Sequence, residues 1–271
     1  MNLARTSVNA RVATGTLVPL DTVSAERWRR LSDNAVEPNG YFLPEWELAV
    51  NATAQGRTDV SALTAQVAAS EGQRLIGLLP VVSAWRAYGL PLPALVSADP
   101  YGTLATPLLD RDQADEAAKA LMQQAQDSGA HALILRDIAL DGAVMMSFTR
   151  KLACRGLKPR VLQRHERASL DATRNSDDLL RDALGPKKLK ELRRQRNRRA
   201  VFDAAARGNC EIVTLNAGDI PVASGIVLRH LDRAFYFKMG VDERFAKCSP
   251  GVQLTLDLTR HLCADPTIAM A

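Results

Sequence analysis

A chain of 271 residues, 46% of them hydrophobic, can fill a sizeable core and is long enough for one large domain or two of ordinary size. No run approaches the roughly 18 to 20 uncharged apolar residues of a membrane span, and residues 1–20 lack an apolar stretch long enough for a secretory signal, so the expectation is a cytoplasmic protein with no membrane insertion. The formal charge of +5 is concentrated in Lys187–Arg199, which has eight Lys/Arg against one Glu and leaves the rest of the chain at −2, so the basic character belongs to one segment and not to a whole binding face.

In chain order, SAERWRRLS (24–32) predicts a short helix with Ser24 as its N-cap, and PEWELAVN (44–51) a second that starts with proline at its first position. Leu75–Val82 is an apolar β-like run. A Pro/Gly-rich loop follows over Tyr88–Thr106, with GLPLP and DPYGT. Residues 112–128 have the apolar spacing of an amphipathic helix, Ala132–Leu135 reads as a buried strand, and Gly142–Arg155 as a further helix. Alternating strands and helices point to an α/β or α+β class with mixed sheets flanked by helices.

A second module is expected from near residue 166, giving domains 1–165 and 166–271. It opens with a helix over Asp177–Leu184 and the basic stretch after Pro186. Its strand signals are EIVTL (211–215), VASGIVL (222–228) and AFYFKM (234–239), the last two flanking a hairpin turn at His230–Arg233. Val252, Leu254, Leu256 and Leu258 alternate as a strand would. Leu254, Leu258 and Leu262 also recur every fourth residue after Ser249-Pro250, and thirteen residues are long for a strand, so Gly251–Cys263 is read as a helix.

The usual nucleotide, dinucleotide, serine-hydrolase and zinc-protease motifs are absent. Cys154, Cys210, Cys248 and Cys263 lack C-x-x-C spacing and clustering with His131, His165, His230 or His261, which argues against a metal site and fits small core residues in a reducing compartment. What remains is a strand hairpin, the acidic turn Val241-Asp242-Glu243, and a helix opening at Ser249-Pro250-Gly251. Unpaired N–H groups and the positive dipole end of such a helix suit a pyrophosphate, although plain capping explains the same residues.

PKKLKELRRQRNR and the stretch IPVASGIVLRHLDRAFYFKMGVDERFAKCSPGVQLTLDLTRHL resemble the BioF2-like acetyltransferase domain of the GNAT superfamily, found in CelD-type proteins associated with polysaccharide biosynthesis. NGYFLPEW and DPYGTLATPLLD resemble the degenerate first module of the same proteins, and the resemblance runs from about Tyr41 to the C-terminus. It implies tandem GNAT-like modules akin to FemAB proteins, with acetyl-CoA or another acyl-CoA in the second and a small-molecule amine as acceptor. The strand Ala234–Met239 would lie beside the pantetheine arm, and backbone amides of Ser249, Pro250, Gly251, Val252, Gln253 and Leu254 would hold the pyrophosphate. For the chemistry, Tyr236 is the expected acid, and Asp242 or Glu243 the expected base. Each has a plainer reading, as a strand aromatic and a solvated turn.

The pattern also breaks. Members of the family carry a segment with a Trp-Lys-Gly motif between the basic helix and the glycine that stands here in Ala206-Arg207-Gly208-Asn209, whereas this sequence has no tryptophan after Trp85. Read as one helix, Leu189 and Leu192 face one side while Val201, Phe202 and Ala205 face the other. The expectation is two helices joined near Arg199, and a second module lacking that internal segment and its C-terminal end. Two other functions compete: a non-catalytic interaction protein of the same fold, and a polyanion or nucleic-acid binder using Lys187, Lys188, Arg193 and Arg194. Nucleic acid is disfavoured by the lack of aromatics in that run.

Overall fold

The computed structural model describes residues 12–13, 17–69, 72–183, 201–207 and 209–271. The basic segment Lys187–Arg199, with Lys187, Lys188, Arg193 and Arg194, lies outside them, as does the expected junction at Arg199. The chain divides into two compact units, Met1–Leu162 and Gln163–Ala271, both mixed α/β with helices against a sheet.

In unit 1 the sheet runs β1 (Val12–Ala13), β3 (Ser61–Ala69), β4 (Gly72–Ser83), β5 (Ala94–Ser97), β7 (Ala132–Ile134), with β2 (Val18–Pro19) on β3 and β6 (Leu108–Leu109) on β4. All pairs are antiparallel except β5 with β7. The central strand β4 is buried without interruption from Leu75 to Val81, the signature of a strand covered on both faces. Helix α1 (Ala25–Asp33) packs against β4, and α4 (Ala114–Asp127) against β3 and β4. Gly77 is what lets α4 come so close, because a Cβ there would stand 3.1 Å from both Ala117 Cβ and Ala65 Cβ. Trp28, Leu63, Leu78 and Leu121 fill the core between these layers.

Expectation and structure agree on α1, where the Ser24 side chain accepts from Arg27 N, and on α2 (Pro44–Thr53), α4 and α5 (Ala143–Ala153). Three readings change. The Pro/Gly-rich loop contains β5 and is preceded by the single-turn α3 (Ala84–Tyr88); β3 is a strand that the sequence does not announce; and β7 is half exposed instead of buried. Ala and Gln in SALTAQVAA give little β signal of their own, so this strand is set by pairing with β4.

Unit 2 is an antiparallel meander, β8 (Val201–Arg207), β9 (Cys210–Ala217), β10 (Ile220–His230) and β11 (Arg233–Val241), in the order β11-β10-β9-β8. Residues 201–207 are therefore extended, with Arg207 opposite Cys210. Val201, Phe202 and Ala205 thus lie on a strand and not on the far face of a helix, which removes the opposed-face sign of a junction; tertiary pairing overrides the helix-forming Ala204-Ala205-Ala206. A helix over 176–183, α6, places Leu180 against Leu256 of α7 (Pro250–Ala264), and α7 crosses β9, β10 and β11 with Leu254, Leu258 and Leu262 on Val213, Val227 and Ala234. The end of the chain comes back to the sheet: Met270 bridges Arg233 in parallel and Asp171 in antiparallel fashion.

Two buried carboxyl groups make unit 1 testable. Glu37 accepts from Val144 N at the start of α5, and Gly142 leaves room for it, since a Cβ there would meet Glu37 Oε2 at 2.5 Å. Glu37→Ala strips that helix end of a buried acceptor and should lower stability by about 1–3 kcal/mol in chemical denaturation. Glu47 is 1% exposed, and burial, reinforced by Asp99, holds its pKa well above the usual glutamate range. Its proton is bound more tightly in the folded than in the unfolded chain. The stability that Glu47 contributes is therefore fully present in acid and is lost as pH rises from the ordinary glutamate pKa through the raised one. Melting temperature measured against pH should show that decline, and Glu47→Gln should flatten it.

Candidate functional site

The site is built on β11, an edge strand. Its pairing with β10 slips between Ile226 and Val227: Ile226 faces Lys238 but Val227 faces Tyr236, leaving Phe237 as an extra residue. In a regular strand Tyr236 and Met239 would point to opposite faces, because side chains alternate. The bulge brings them to one face, opposite Val227 and Gly225 respectively, with Val241 next in line opposite Ala223. That face is the one α7 covers.

Each of these side chains sits against a glycine or the start of α7. A Cβ on Gly225 would be 2.8 Å from Tyr236 Cε2 and 3.5 Å from Leu254 Cδ2, so the Tyr236 ring lies across the bare backbone of β10. A Cβ on Gly251 would be 2.8 Å from Met239 Cε and 3.2 Å from Val241 Cγ1. The first turn of α7 thus rests directly on the far end of β11.

On its outer side β11 is joined near its beginning, where Ala234 N donates to Met270 O at 2.9 Å. Past that point no strand pairs with this edge among the described residues. The result is an edge that is closed at one end and open beside Tyr236 and the N-terminus of α7.

The six residues expected to hold a pyrophosphate contribute unequally. Ser249 takes a left-handed conformation (φ 47°), gives its N–H to Ala246 O, and its side chain makes no capping bond. Pro250 has no N–H, Gln253 N donates to Ser249 O at 3.1 Å, and Leu254 is in the core. Gly251 and Val252 are left as the first-turn donors without an intrahelical acceptor, and Val252 is 44% exposed.

Tyr236 is 36% exposed, and its hydroxyl hydrogen-bonds Thr255, one turn into α7. Burial pushes the phenol above its ordinary pKa, and the Thr255 bond pulls the other way. Thr255 gives its own proton to Gly251 O at 2.9 Å.

Asp242 is placed differently from what its role as a base requires. Its N–H donates to Val222 O, its Oδ1 accepts from Arg244 N at 3.0 Å, and its carboxylate pairs with the Arg244 guanidinium at 2.6 Å. These bonds hold its pKa below the usual range and fasten the short 3-10 turn Glu243–Cys248 that carries the chain from β11 to α7. Glu243 opens that turn and is exposed. Sequence reasoning missed Gly225, Thr255 and Phe237. Only Gly225, a glycine inside a strand, carried a signal, since such a glycine often marks a close approach.

No metal-binding group of three or more His, Cys, Asp or Glu occurs among the described residues, and none of their helices is long and apolar enough to cross a membrane.

Gly225→Val should push the Tyr236 ring out of its seat. Ultraviolet titration should then show one phenol moving back toward the ordinary tyrosine range, near pH 10, while the chain keeps its cooperative melt.

Residues 159–269 match the family model described as acetyltransferase (GNAT) domain. No curated protein matches the chain. Among solved structures, the chain is similar to FemX, with TM-score 0.58 and 9% identity over 92% of this chain and 86% of that one. It is also similar to the C-terminal DUF2156 domain of a putative lysylphosphatidylglycerol synthetase from Agrobacterium fabrum, with TM-score 0.50 and 10% identity over 89% and 74%. At these identities the likeness is one of fold. Residues 159–269 are thus similar to a GNAT-type acetyltransferase domain, and the chain shares the fold of FemX.

Proposed function

We propose that the protein is an acyl-CoA-dependent N-acyltransferase, with acetyl-CoA as the simplest donor and a small-molecule amine as acceptor, acting in the cytoplasm on a precursor of polysaccharide or cell envelope. The observation that carries this reading is the half-open edge of β11 ending at the first turn of α7. Pantetheine is an extended chain with two amides, able to hydrogen-bond along a strand edge. The pyrophosphate then falls to the Gly251 and Val252 amides, where the helix dipole favours negative charge.

In the reaction the neutral amine attacks the thioester carbonyl, the C–S bond breaks, and the proton released by the new amide nitrogen balances the one that the thiolate takes up. On this reading the sulfur leaves beside Tyr236. Magnitudes decide what it does there. A thiol has a pKa of roughly 8.5 and a phenol of roughly 10, and Tyr236 is shifted further up. Complete transfer of the phenolic proton is uphill by more than about 2 kcal/mol, at about 1.36 kcal/mol per unit. Tyr236 therefore acts as a hydrogen-bond donor to the developing thiolate, its hydroxyl proton turning to the sulfur by rotation about one C–O bond. Net protons move through water. Asp242, committed to Arg244, fastens the turn; a base is supplied by solvent or by the acceptor itself, and Glu243 is the exposed carboxylate nearest in sequence.

A thermal melt with acetyl-CoA tests the binding half. At about 100 times its dissociation constant a ligand adds about 2.7 kcal/mol, so a clear upward shift is expected in the wild type and none in Gly251→Asp. A wild type that melts cooperatively at the same temperature with and without acyl-CoA would favour the non-catalytic reading. For the chemistry, thiol release from acetyl-CoA with a panel of amines should slow by about 10- to 100-fold in Tyr236→Phe, the loss of one hydrogen bond of about 1.4–2.7 kcal/mol to charge, with little change in KM.

A further inference from the structure

Unit 1 holds a cluster of polar groups that the acyl-transfer reading does not use. Helix α2 carries Glu47, and the loop that leaves the carboxyl end of β5 carries Asp99, Pro100 and Tyr101. Trp46 Nε1, next to Glu47, donates to Pro100 O at 2.7 Å and ties the helix to the loop. Asp99 accepts from Tyr101 N at 2.9 Å through one oxygen and from Arg57 at 2.7 Å through the other. The Arg57 guanidinium in turn lies 4.6 Å from the centre of the Tyr101 ring, and Tyr101 holds a left-handed backbone (φ 56°), an uncommon state for a bulky residue.

Two atoms in this arrangement have nothing to bond: Glu47 Oε2 and Arg57 Nε are both buried with no hydrogen-bond partner. Native structures leave few such groups, because each forfeits its desolvation cost. One is a carboxyl oxygen within electrostatic reach of Asp99, the other an N–H donor on the residue that pairs with Asp99. Glu47 is buried and Tyr101 is 44% exposed, so the cluster runs from the core to the surface.

We propose that this cluster binds a small primary ammonium compound with an oxygen acceptor beside its nitrogen, as in an amino sugar or an amino acid. The ammonium lies between Glu47 and Asp99, and the oxygen accepts from Arg57 Nε. A cation there offsets the cost of two neighbouring carboxyl groups, which Arg57 meets for Asp99 alone. A bound anion would face both carboxyls, and a hard divalent ion would find too few oxygen ligands beside a fixed guanidinium. The inference does not depend on acyl transfer by unit 2, and its test contains no acyl-CoA.

The test is calorimetric titration of the full chain with D-glucosamine and with L-alanine, alongside N-acetylglucosamine and lactate, which lack the ammonium. Saturable binding of one or both amines, absent for the controls, is expected, and the amine that binds distinguishes sugar from amino acid. Glu47→Gln and Arg57→Gln should each weaken it by about tenfold or more, and Glu47→Gln should melt at or above the wild-type temperature at neutral pH. If Glu47→Gln does not fold, Arg57→Gln, at a more exposed position, carries the comparison. Absence of binding by both amines, equal binding of amine and control, or affinity unchanged in the variants that fold overturns the site and leaves the two atoms to ordered water.

Discussion

The slip in pairing between β10 and β11 is what the second unit is organised around. One extra residue, Phe237, turns the rest of the strand over, so that Met239 and Val241 join Tyr236 on the side facing α7. Without it the first turn of α7 would have Lys238 and Gly240 beneath it, and the close seat that Gly251 makes on Met239 would be lost. A residue inserted in an edge strand costs one ladder position and returns a row of side chains aimed at a helix N-terminus.

The other end of α7 is held by charge. Arg229 on β10 reaches Glu211 and Asp265, each at 2.6 Å, and His261 lies 3.3 Å from Glu211. These groups are largely buried, so the network works by mutual satisfaction, and removing one member would leave the others unpaired. The helix is thereby fixed at its C-terminal end by ion pairs and along its length by leucines, while its N-terminal amides stay open. A helix held this way presents its first turn without needing to move when a ligand arrives.

Unit 1 follows a different logic. Its sheet has a fully covered central strand, and its polar groups are gathered where loops meet helix ends: Glu37 under α5, Asp110 between Arg74 and Asn34, Glu47 beneath Asp99. The first two are satisfied and hold the fold. Glu47 is not, and its burial draws on stability that the rest of unit 1 supplies. Buried carboxyl groups with displaced pKa values concentrate where proteins bind and react.

Most helices were legible in the sequence, because capping and 3.6-residue spacing are local properties: Ser24 before α1, Pro44 in α2 and Ser249-Pro250 before α7 announced themselves. So did β10 and β11, rich in β-branched and aromatic residues, and the residues of the α7 start. The strand at 61–69, the extended state of 201–207 and the short β5 were not, since Ala-rich and Pro-flanked segments have no strong preference and take the one their neighbours impose. Composition and motif thus determined the class, the helix starts and the family resemblance. Only tertiary structure decided that Tyr236 and Met239 share a face, that Asp242 is bound to Arg244, and that Glu47 lies buried beside Asp99, because register, pairing and burial depend on residues far apart in the chain.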